Sequence, residues 1–263
     1  MVDDLAPLSQ DEIRSEVERL APFHHDIELP FGLRTYDPSL ARRDDESSRL
    51  SNLIAHAWPA ILDAAGGTFE GKRILDVGCN CGGFSVAAVN SGADYVLGID
   101  VAKRYIEQAN LIRRALGLER MEFQQRAVAS LDRKKDGEFD VSLCFGILYH
   151  VENPVAVMKK IAAVTGSILA IDTELLPKSN KKRPMWAMNF PDPSSNRSRT
   201  ASTSQWRKGR RVCQFTPNAM AVVELLKFLG FEDVIALEPK RDDLEPRYLN
   251  GRRGTFIGVR PSS

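Results

Sequence analysis

Residues 73–88 read RILDVGCNCGGFSVAA, and this stretch decides the fold that the sequence predicts. It opens with RILDV, a short apolar run typical of a buried strand, and it closes with a segment typical of a helix. In the loop between them, Gly78 permits a tight turn and Gly82 lets the backbone approach a ligand closely. The stretch therefore predicts a strand, a ligand-binding loop and a helix in immediate succession.

The chain beyond this loop alternates short apolar runs with helical patterns. The apolar runs are YVLGID at 95–100, MEFQQRAV at 121–128, FDVSLCFG at 139–146, SILAIDTEL at 167–175, FEDVIAL at 231–237 and GTFIGVR at 254–260, and helices are predicted over 103–116, 154–164 and 217–229. Strands that alternate with helices form a parallel sheet with helices on both faces. The sequence therefore predicts a doubly wound, Rossmann-like α/β fold, with a mostly parallel seven-stranded sheet and an antiparallel edge strand.

The amino-terminal part of the chain has a different pattern. Helices are predicted over 9–20 and 46–64, and Ser9 precedes Glu12 by three residues, which indicates a capping box. We therefore predict a helical cap at 1–65 and a main domain at 66–263.

The regular alternation fails for about forty residues after Leu176, and so long a loop in a compact domain is usually functional or disordered. Ten Lys or Arg and one acid occur between residues 178 and 211, which leaves this segment with a net charge of +9. Trp186, Phe190 and Trp206 lie in the same segment, whereas disordered segments are poor in aromatic residues. We therefore predict a basic, lid-like insertion at 177–215.

Composition limits the class of protein. A chain of 263 residues can bury a full core, and its net charge of only +1 argues against a protein that coats nucleic acid over its whole surface. No apolar run approaches the roughly 20 residues that span a bilayer, and the acidic start lacks the pattern of a signal peptide. The four cysteines match no metal-binding spacing. We expect a soluble, cytoplasmic protein with reduced thiols, no membrane contact and no metal.

Two acids near the predicted loop indicate which ligand it holds. Asp100 ends the next strand, where a carboxylate can accept hydrogen bonds from both ribose hydroxyls. Asp76 lies immediately before the loop, where it would repel a pyrophosphate but suits the ammonium group of an amino acid. Adenosine joined to an amino acid without phosphates predicts S-adenosylmethionine, although a similar loop also occurs in dinucleotide enzymes.

The motifs DVGCNCGG, YVLGID and FDVSLCFGILYHVENP resemble the ordered motifs of class I methyltransferases over about residues 71–175. More narrowly, GILYHVENP and QFTPNAMAVVELLKFLGFEDV are similar to the methyltransferases of tRNA wobble-uridine 5-oxyacetic acid synthesis, which use a carboxylated donor. The resemblance implies a set of cofactor contacts, with two residues near the adenine and two beside the methionine end: Asp76, Gly78, Asn80, Gly82 and Asp100, then Val128 and Ala129, then Phe145 and Tyr149.

The donor is left open by this resemblance. The tRNA enzymes carry lysines and a tryptophan before the glycine loop, and these can bind the extra carboxylate. The corresponding approach in this chain, SSRLSNLIAHAWPAIL at 47–62, contains Trp58 but no lysine. We therefore expect ordinary S-adenosylmethionine as the cofactor.

The catalytic candidates are His150 and Tyr149, which follow the fourth predicted strand. Open α/β sheets bind ligands at this edge, and an imidazole can act as a base near neutral pH. His150 could instead orient the next loop, and Tyr149 could pack rather than contact cofactor or acceptor. His24 and His25 could line a pocket but are not a metal site by themselves. An Asn-Pro-Pro-Tyr motif is absent, which favours an oxygen or carbon acceptor.

Three functions remain open from the sequence. The first is methylation of a small, anionic acceptor bound by the basic segment, and the second is modification of tRNA, in which the same arginines bind phosphates. The third is a non-catalytic protein that binds S-adenosylmethionine, because an intact loop does not prove turnover. We rank the small-molecule acceptor first.

Overall fold

The computed structural model describes residues 7–36, 46–176, 183–190, 213–240 and 244–261. Most of the predicted basic insertion, including Trp206, lies outside the described residues. The chain divides into two compact units, Met1–Ala127 and Val128–Ser263. The predicted boundary at residue 65 stays a prediction.

In its described part, the first unit contains four α-helices and three strands. They are α1 Gln10–Leu20, α2 Glu46–Ala64, β1 Arg73–Val77, α3 Gly83–Asn90, β2 Tyr95–Asp100, α4 Lys103–Ala115 and β3 Met121–Gln125. The strands pair in parallel, with Leu75 opposite Leu97 and Leu97 opposite Glu122. The predicted capping box is confirmed, since the Ser9 side chain accepts from the Glu12 amide and the Glu12 carboxylate accepts from the Ser9 amide.

The amino-terminal segment is held against α4 in this unit. The Gln108 side-chain amide donates to the carbonyls of Leu20 (2.7 Å) and Pro22 (3.0 Å), and Arg104 donates to the carbonyls of Leu20 and Ala21. These donors satisfy carbonyl groups at the carboxyl end of α1 and just beyond it, which a helix leaves without partners. The side chains of α4 therefore fix the chain that leaves α1.

The second unit contains six strands and four helices in its described part. They are α5 Arg133–Asp136, β4 Phe139–Phe145, α6 Pro154–Val164, β5 Thr165–Glu174, β6 Trp186–Asn189, β7 Gln214–Pro217, α7 Ala219–Phe228, β8 Asp233–Ala236, α8 Pro246–Leu249 and β9 Arg253–Val259. Short 3-10 turns cover Val128–Ser130 and Leu148–His150. Strands β4 and β5 are parallel, and β9 runs antiparallel to both β5 and β8.

Seven of the strands form one sheet, in the order β3-β2-β1-β4-β5-β9-β8. The predicted fold is confirmed: the sheet is mostly parallel and contains one antiparallel strand, β9, which lies next to the edge strand and not at the edge itself. Strand β9 lies between β5 and β8, so the last strand of the chain is inside the sheet and β8 forms the edge. Strands β5 and β9 pair over seven residues, from Ile168 opposite Val259 to Glu174 opposite Arg253.

Two expectations about the segment after Leu176 need correction. The predicted helix starts at Ala219 rather than at Pro217, because Pro217 ends β7 and Asn218 caps the helix by accepting from the Ala221 amide (2.8 Å). The described parts of the insertion are also partly regular, since β6 and β7 form a two-stranded antiparallel sheet. Sequence patterns missed it because two four-residue strands separated by a long stretch carry little periodicity.

Across the part of the chain that the structure describes, no helix combines the length and the apolar character needed to span a membrane.

Candidate functional site

The glycine loop of the first unit follows a backbone path that few residues can adopt. Gly78, Asn80 and Gly82 have φ values of 68°, 51° and 85°, in the left-handed region that favours glycine and tolerates asparagine. A Cβ atom at position 82 would lie 2.7 Å from Cζ of Phe123, so a larger residue would collide with that ring. The Asn80 side-chain oxygen accepts from the Cys81 amide (2.8 Å) and stabilises the turn.

Asp100 is tied to the same loop. One oxygen of its carboxylate accepts from the Asn80 amide (3.2 Å), and the other accepts from the Ala102 amide (2.8 Å). The carboxylate is buried, and burial raises its pKa above the usual range. The structure therefore brings together Asn80 and Asp100, which lie twenty residues apart in the sequence.

Asp76 lies beneath the loop and is nearly inaccessible. Its Oδ2 accepts from the hydroxyl of Ser85 in the first turn of α3 (2.7 Å). Burial raises the pKa of Asp76 to about 7, and the negative charge of Asp100 adds to this effect. A buried acid with so perturbed a pKa is typical of functional sites.

The cysteines of the loop are unreactive. Cys79 and Cys81 are free and buried, and burial raises the pKa of Cys81 to about 11. Thiols are nucleophiles and metal ligands only when deprotonated. Within the described residues, no group of three or more His, Cys, Asp or Glu is placed to hold a metal ion.

In the second unit, Tyr149 and His150 lie on the 3-10 turn that follows β4. Their rings are 4.1 Å apart between centroids, and the guanidinium of Arg253 donates to the Tyr149 hydroxyl over 3.4 Å. Burial and the positive charge of Arg253 lower the pKa of His150 to about 4. His150 is therefore neutral near pH 7, but it is a weaker base than a solvated imidazole.

The other predicted residues of this unit occupy different surroundings. Phe145 ends β4 and is buried. Val128 and Ala129 lie on the 3-10 turn Val128–Ser130, where Val128 is half-buried and Ala129 is exposed.

A buried polar cluster in the second unit was missed from the sequence. The Asp172 carboxylate accepts from Nε of Arg253 (2.7 Å), from the Tyr248 hydroxyl (2.6 Å) and from the Thr255 hydroxyl (2.8 Å). Arg253 in turn contacts Tyr149, so the cluster supports the predicted catalytic turn. The available signal was the acid inside the apolar run SILAIDTEL, since an unpaired charge is rarely buried. No sequence pattern indicated Arg253, 81 residues away.

Comparisons with known proteins agree with this architecture. The family described as "Methyltransferase domain" matches residues 68–214, which is more than half of the chain. The ubiquinone biosynthesis O-methyltransferase of Bordetella avium is 36% identical over 98 residues, and that of Aeromonas salmonicida is 36% identical over 104 residues. These matches cover 37% and 40% of this chain, and the chain spans only 40% and 42% of those two relatives.

Among solved structures, the N-terminal domain of EvdMO1 in the presence of SAH and D-fucose has a TM-score of 0.71 at 20% identity, covering 97% of this chain and 98% of that chain. The 1,6-didemethyltoxoflavin-N1-methyltransferase of Burkholderia thailandensis, with SAH bound, has a TM-score of 0.52 at 20% identity, covering 81% and 80%. At these identities the likeness establishes the fold alone. With the family match over residues 68–214, the chain belongs to the methyltransferase domain family.

Proposed function

We propose that this methyltransferase uses S-adenosylmethionine to methylate an oxygen or carbon atom of a small, anionic acceptor. The observation that carries the proposal is the pair of buried acids, Asp76 and Asp100, around a left-handed loop that Asp100 itself holds through Asn80. The solved neighbours that hold SAH or SAM support the same cofactor.

The residues of the first unit fit this cofactor. The two oxygens of the Asp100 carboxylate accept backbone amides, and because a carboxylate has about four lone-pair positions, it can also accept from ribose hydroxyls. Asp76 would suit the ammonium group, since a nearby cation favours the ionised form of a buried acid. The backbone of the loop would pass close to the ligand at the three residues with left-handed conformations, Gly78, Asn80 and Gly82. When bound, the cofactor supplies the methyl carbon and its leaving group.

Replacing Asp100 with Ala is expected to weaken the binding of S-adenosylhomocysteine by roughly 10- to 100-fold, because charge-assisted hydrogen bonds contribute about 1.5 to 3 kcal/mol. Isothermal titration calorimetry measures this affinity. Asp94→Ala is a matched control: Asp94 is exposed beside the opposite end of β2, where it accepts from the Gly71 amide (3.2 Å). Unchanged affinity in Asp100→Ala would refute the ribose assignment.

The residues proposed for chemistry lie in the second unit. We assign His150 as the base that accepts a proton from the acceptor and Tyr149 as a contact to acceptor or cofactor. His150 is neutral and able to accept a proton near pH 7, because its pKa is about 4. Its low basicity favours an acceptor whose reacting group gives up its proton readily. Contacts of Val128, Ala129 and Phe145 with the cofactor stay predictions.

His150 is expected to titrate near pH 4 rather than near 6.5, because partial burial and Arg253 disfavour the imidazolium. The chain has only four histidines, so NMR titration can follow each ring and His150→Gln identifies the signal. In Arg253→Lys, which keeps the charge, the low pKa should persist. A midpoint near 6.5 in the wild-type protein would contradict this description of His150.

The chemical class of the methyl acceptor is tested by a separate experiment. The net charge of +9 between residues 178 and 211 supports an anionic acceptor, and most of these residues lie outside the described part of the chain. We propose a screen with methyl-labelled cofactor against fractionated acidic metabolites and against total tRNA, with the Arg207, Arg210 and Arg211 triple alanine variant in parallel. The expected result is label in a small acid, a higher KM for that acid in the variant, and unchanged cofactor affinity.

The other outcomes of the screen identify the remaining functions. Label in tRNA that falls steeply with salt would favour the tRNA wobble-uridine group, because phosphate contacts release counterions. Cofactor binding without transfer to any fraction would favour a non-catalytic binder. The four free cysteines fit a reducing compartment, and a cytoplasmic location stays a prediction.

A further inference from the structure

The amino-terminal segment supplies a hydrogen-bond acceptor to the start of α3. Nδ1 of His25 accepts from the amide of Gly83, the first residue of that helix, over 3.1 Å, and the two residues lie 58 positions apart. The first amides of a helix have no partner within the helix, and they are usually satisfied by a capping side chain. Here the capping residue is Gly82, which has no side chain, and so His25 fulfils this role for Gly83.

The contact requires glycine on one side and a small, flat acceptor on the other. A Cβ atom on Gly83 would lie 2.6 Å from Nδ1 of His25, closer than real Cβ contacts allow. His25 is only 7% exposed, and its ring meets that of Phe84 edge-on, with centroids 5.6 Å apart. The imidazole is therefore packed against the loop-to-helix junction from the side of the amino-terminal segment.

The backbone around His25 is held independently of the loop. The Thr35 hydroxyl donates to the His25 carbonyl (2.6 Å) and accepts from the Ile27 amide (2.8 Å). Farther back along the chain, Gln108 on α4 holds the carbonyls of Leu20 and Pro22. Hydrogen bonds on both sides of His25 therefore fix the segment that places its imidazole against Gly83.

A second contact of the same segment reaches the loop. Burial raises the pKa of Cys81, and backbone hydrogen bonds from His25 and His24 act against this rise. The backbone of His24 and His25 therefore lies beside Cys81, and the His25 ring contacts Gly83; Cys81 and Gly83 flank the capping residue of α3.

We propose that His25 is a positioning residue for the cofactor loop: its neutral imidazole, with the lone pair on Nδ1, fixes Gly83 and thereby the left-handed turn that precedes it. The inference rests on the proposed function of that loop and extends the cofactor site to a residue of the amino-terminal segment. An imidazole that accepts at Nδ1 carries its proton on Nε2.

The test compares two substitutions at position 25. His25→Leu keeps apolar bulk but removes the acceptor, whereas the side-chain oxygen of His25→Asn can take the place of Nδ1. We expect the Leu variant to bind S-adenosylhomocysteine about fivefold more weakly, the order of effect of one lost hydrogen bond, and the Asn variant to recover most of this affinity. Calorimetry gives the affinities. Hydrogen exchange of the Gly83 amide should be faster in the Leu variant with no ligand present.

A stability control separates positioning from general loosening. Ile13→Val removes one buried methyl group from α1, so it is expected to lower the melting temperature without changing Gly83 exchange or ligand affinity. Equal affinity and equal Gly83 exchange in wild type and His25→Leu would overturn the inference while leaving the proposed function intact. A wild-type protein that binds no S-adenosylhomocysteine would overturn both. Binding without methyl transfer would leave the role of His25 standing and remove only the enzymatic proposal.

Discussion

Replacing Arg253 with Met is expected to destabilise the protein by about 3 to 5 kcal/mol, because it leaves the Asp172 carboxylate buried without its counter-charge. Asp172 is fully buried and Arg253 is 7% exposed, so water cannot replace the lost partner. The hydroxyls of Tyr248 and Thr255 still donate to the carboxylate, but they carry no charge. Urea unfolding at pH 7 measures the change in the free energy of unfolding.

Arg247→Met is the matched control in the same unit. Arg247 pairs with Glu174 and Glu245, but its side chain is 31% exposed, and such pairs contribute about 1 kcal/mol or less. The Arg253→Met variant should also recover stability when Asp172→Asn is added, since the second change removes the orphaned charge. Equal destabilisation by Arg253→Met and Arg247→Met would show that the buried pair stabilises the protein no more than the partly exposed one.

The second large effect is expected at Asp76, where the folded protein keeps a carboxyl group that costs stability at neutral pH. The pKa of Asp76 rises from 3.8 in the unfolded chain to about 7 in the folded protein. The protonated carboxyl therefore contributes its full stabilisation below pH 3.8, and this stabilisation is lost as the pH rises through about 7. One pKa unit corresponds to about 1.4 kcal/mol. The stability of Asp76→Asn relative to wild type should therefore increase by on the order of 4 kcal/mol between pH 4 and pH 8.

The same substitution should weaken cofactor binding, because an amide offers no charge to the ammonium group. In the wild-type protein at pH 7, binding of S-adenosylhomocysteine should release a fraction of a proton, since a nearby cation lowers the pKa of Asp76. Calorimetry in buffers of different ionisation enthalpy measures this release. Asp94→Asn is the control, with no expected change in either quantity. A stabilised Asp76→Asn variant with unchanged ligand affinity would refute the ammonium assignment.

Some residues of the cofactor loop could be predicted from the sequence, whereas the contact that links the loop to Asp100 could not. The sequence predicts Asp76, Gly78, Gly82 and Asp100 as a group because they lie at or just after the ends of two strand patterns, and parallel strands carry their carboxyl ends to the same edge. The role of Asn80 as the link between loop and acid depends on its own left-handed backbone and on the neighbouring strand. Its amide contact with Asp100 was not predictable from spacing.

The sequence by itself determined what depends on neighbours along the chain: the alternation of strands and helices, the glycine loop, and the capping box of Ser9 and Glu12. Local periodicity and backbone preference are enough for these features. Tertiary structure alone decided the position of β9 between β5 and β8, the pairing of Asp172 with Arg253, and the contact of His25 with Gly83. Those contacts join residues 58 and 81 positions apart, and they exist because strand register and the packing of whole elements bring the partners together.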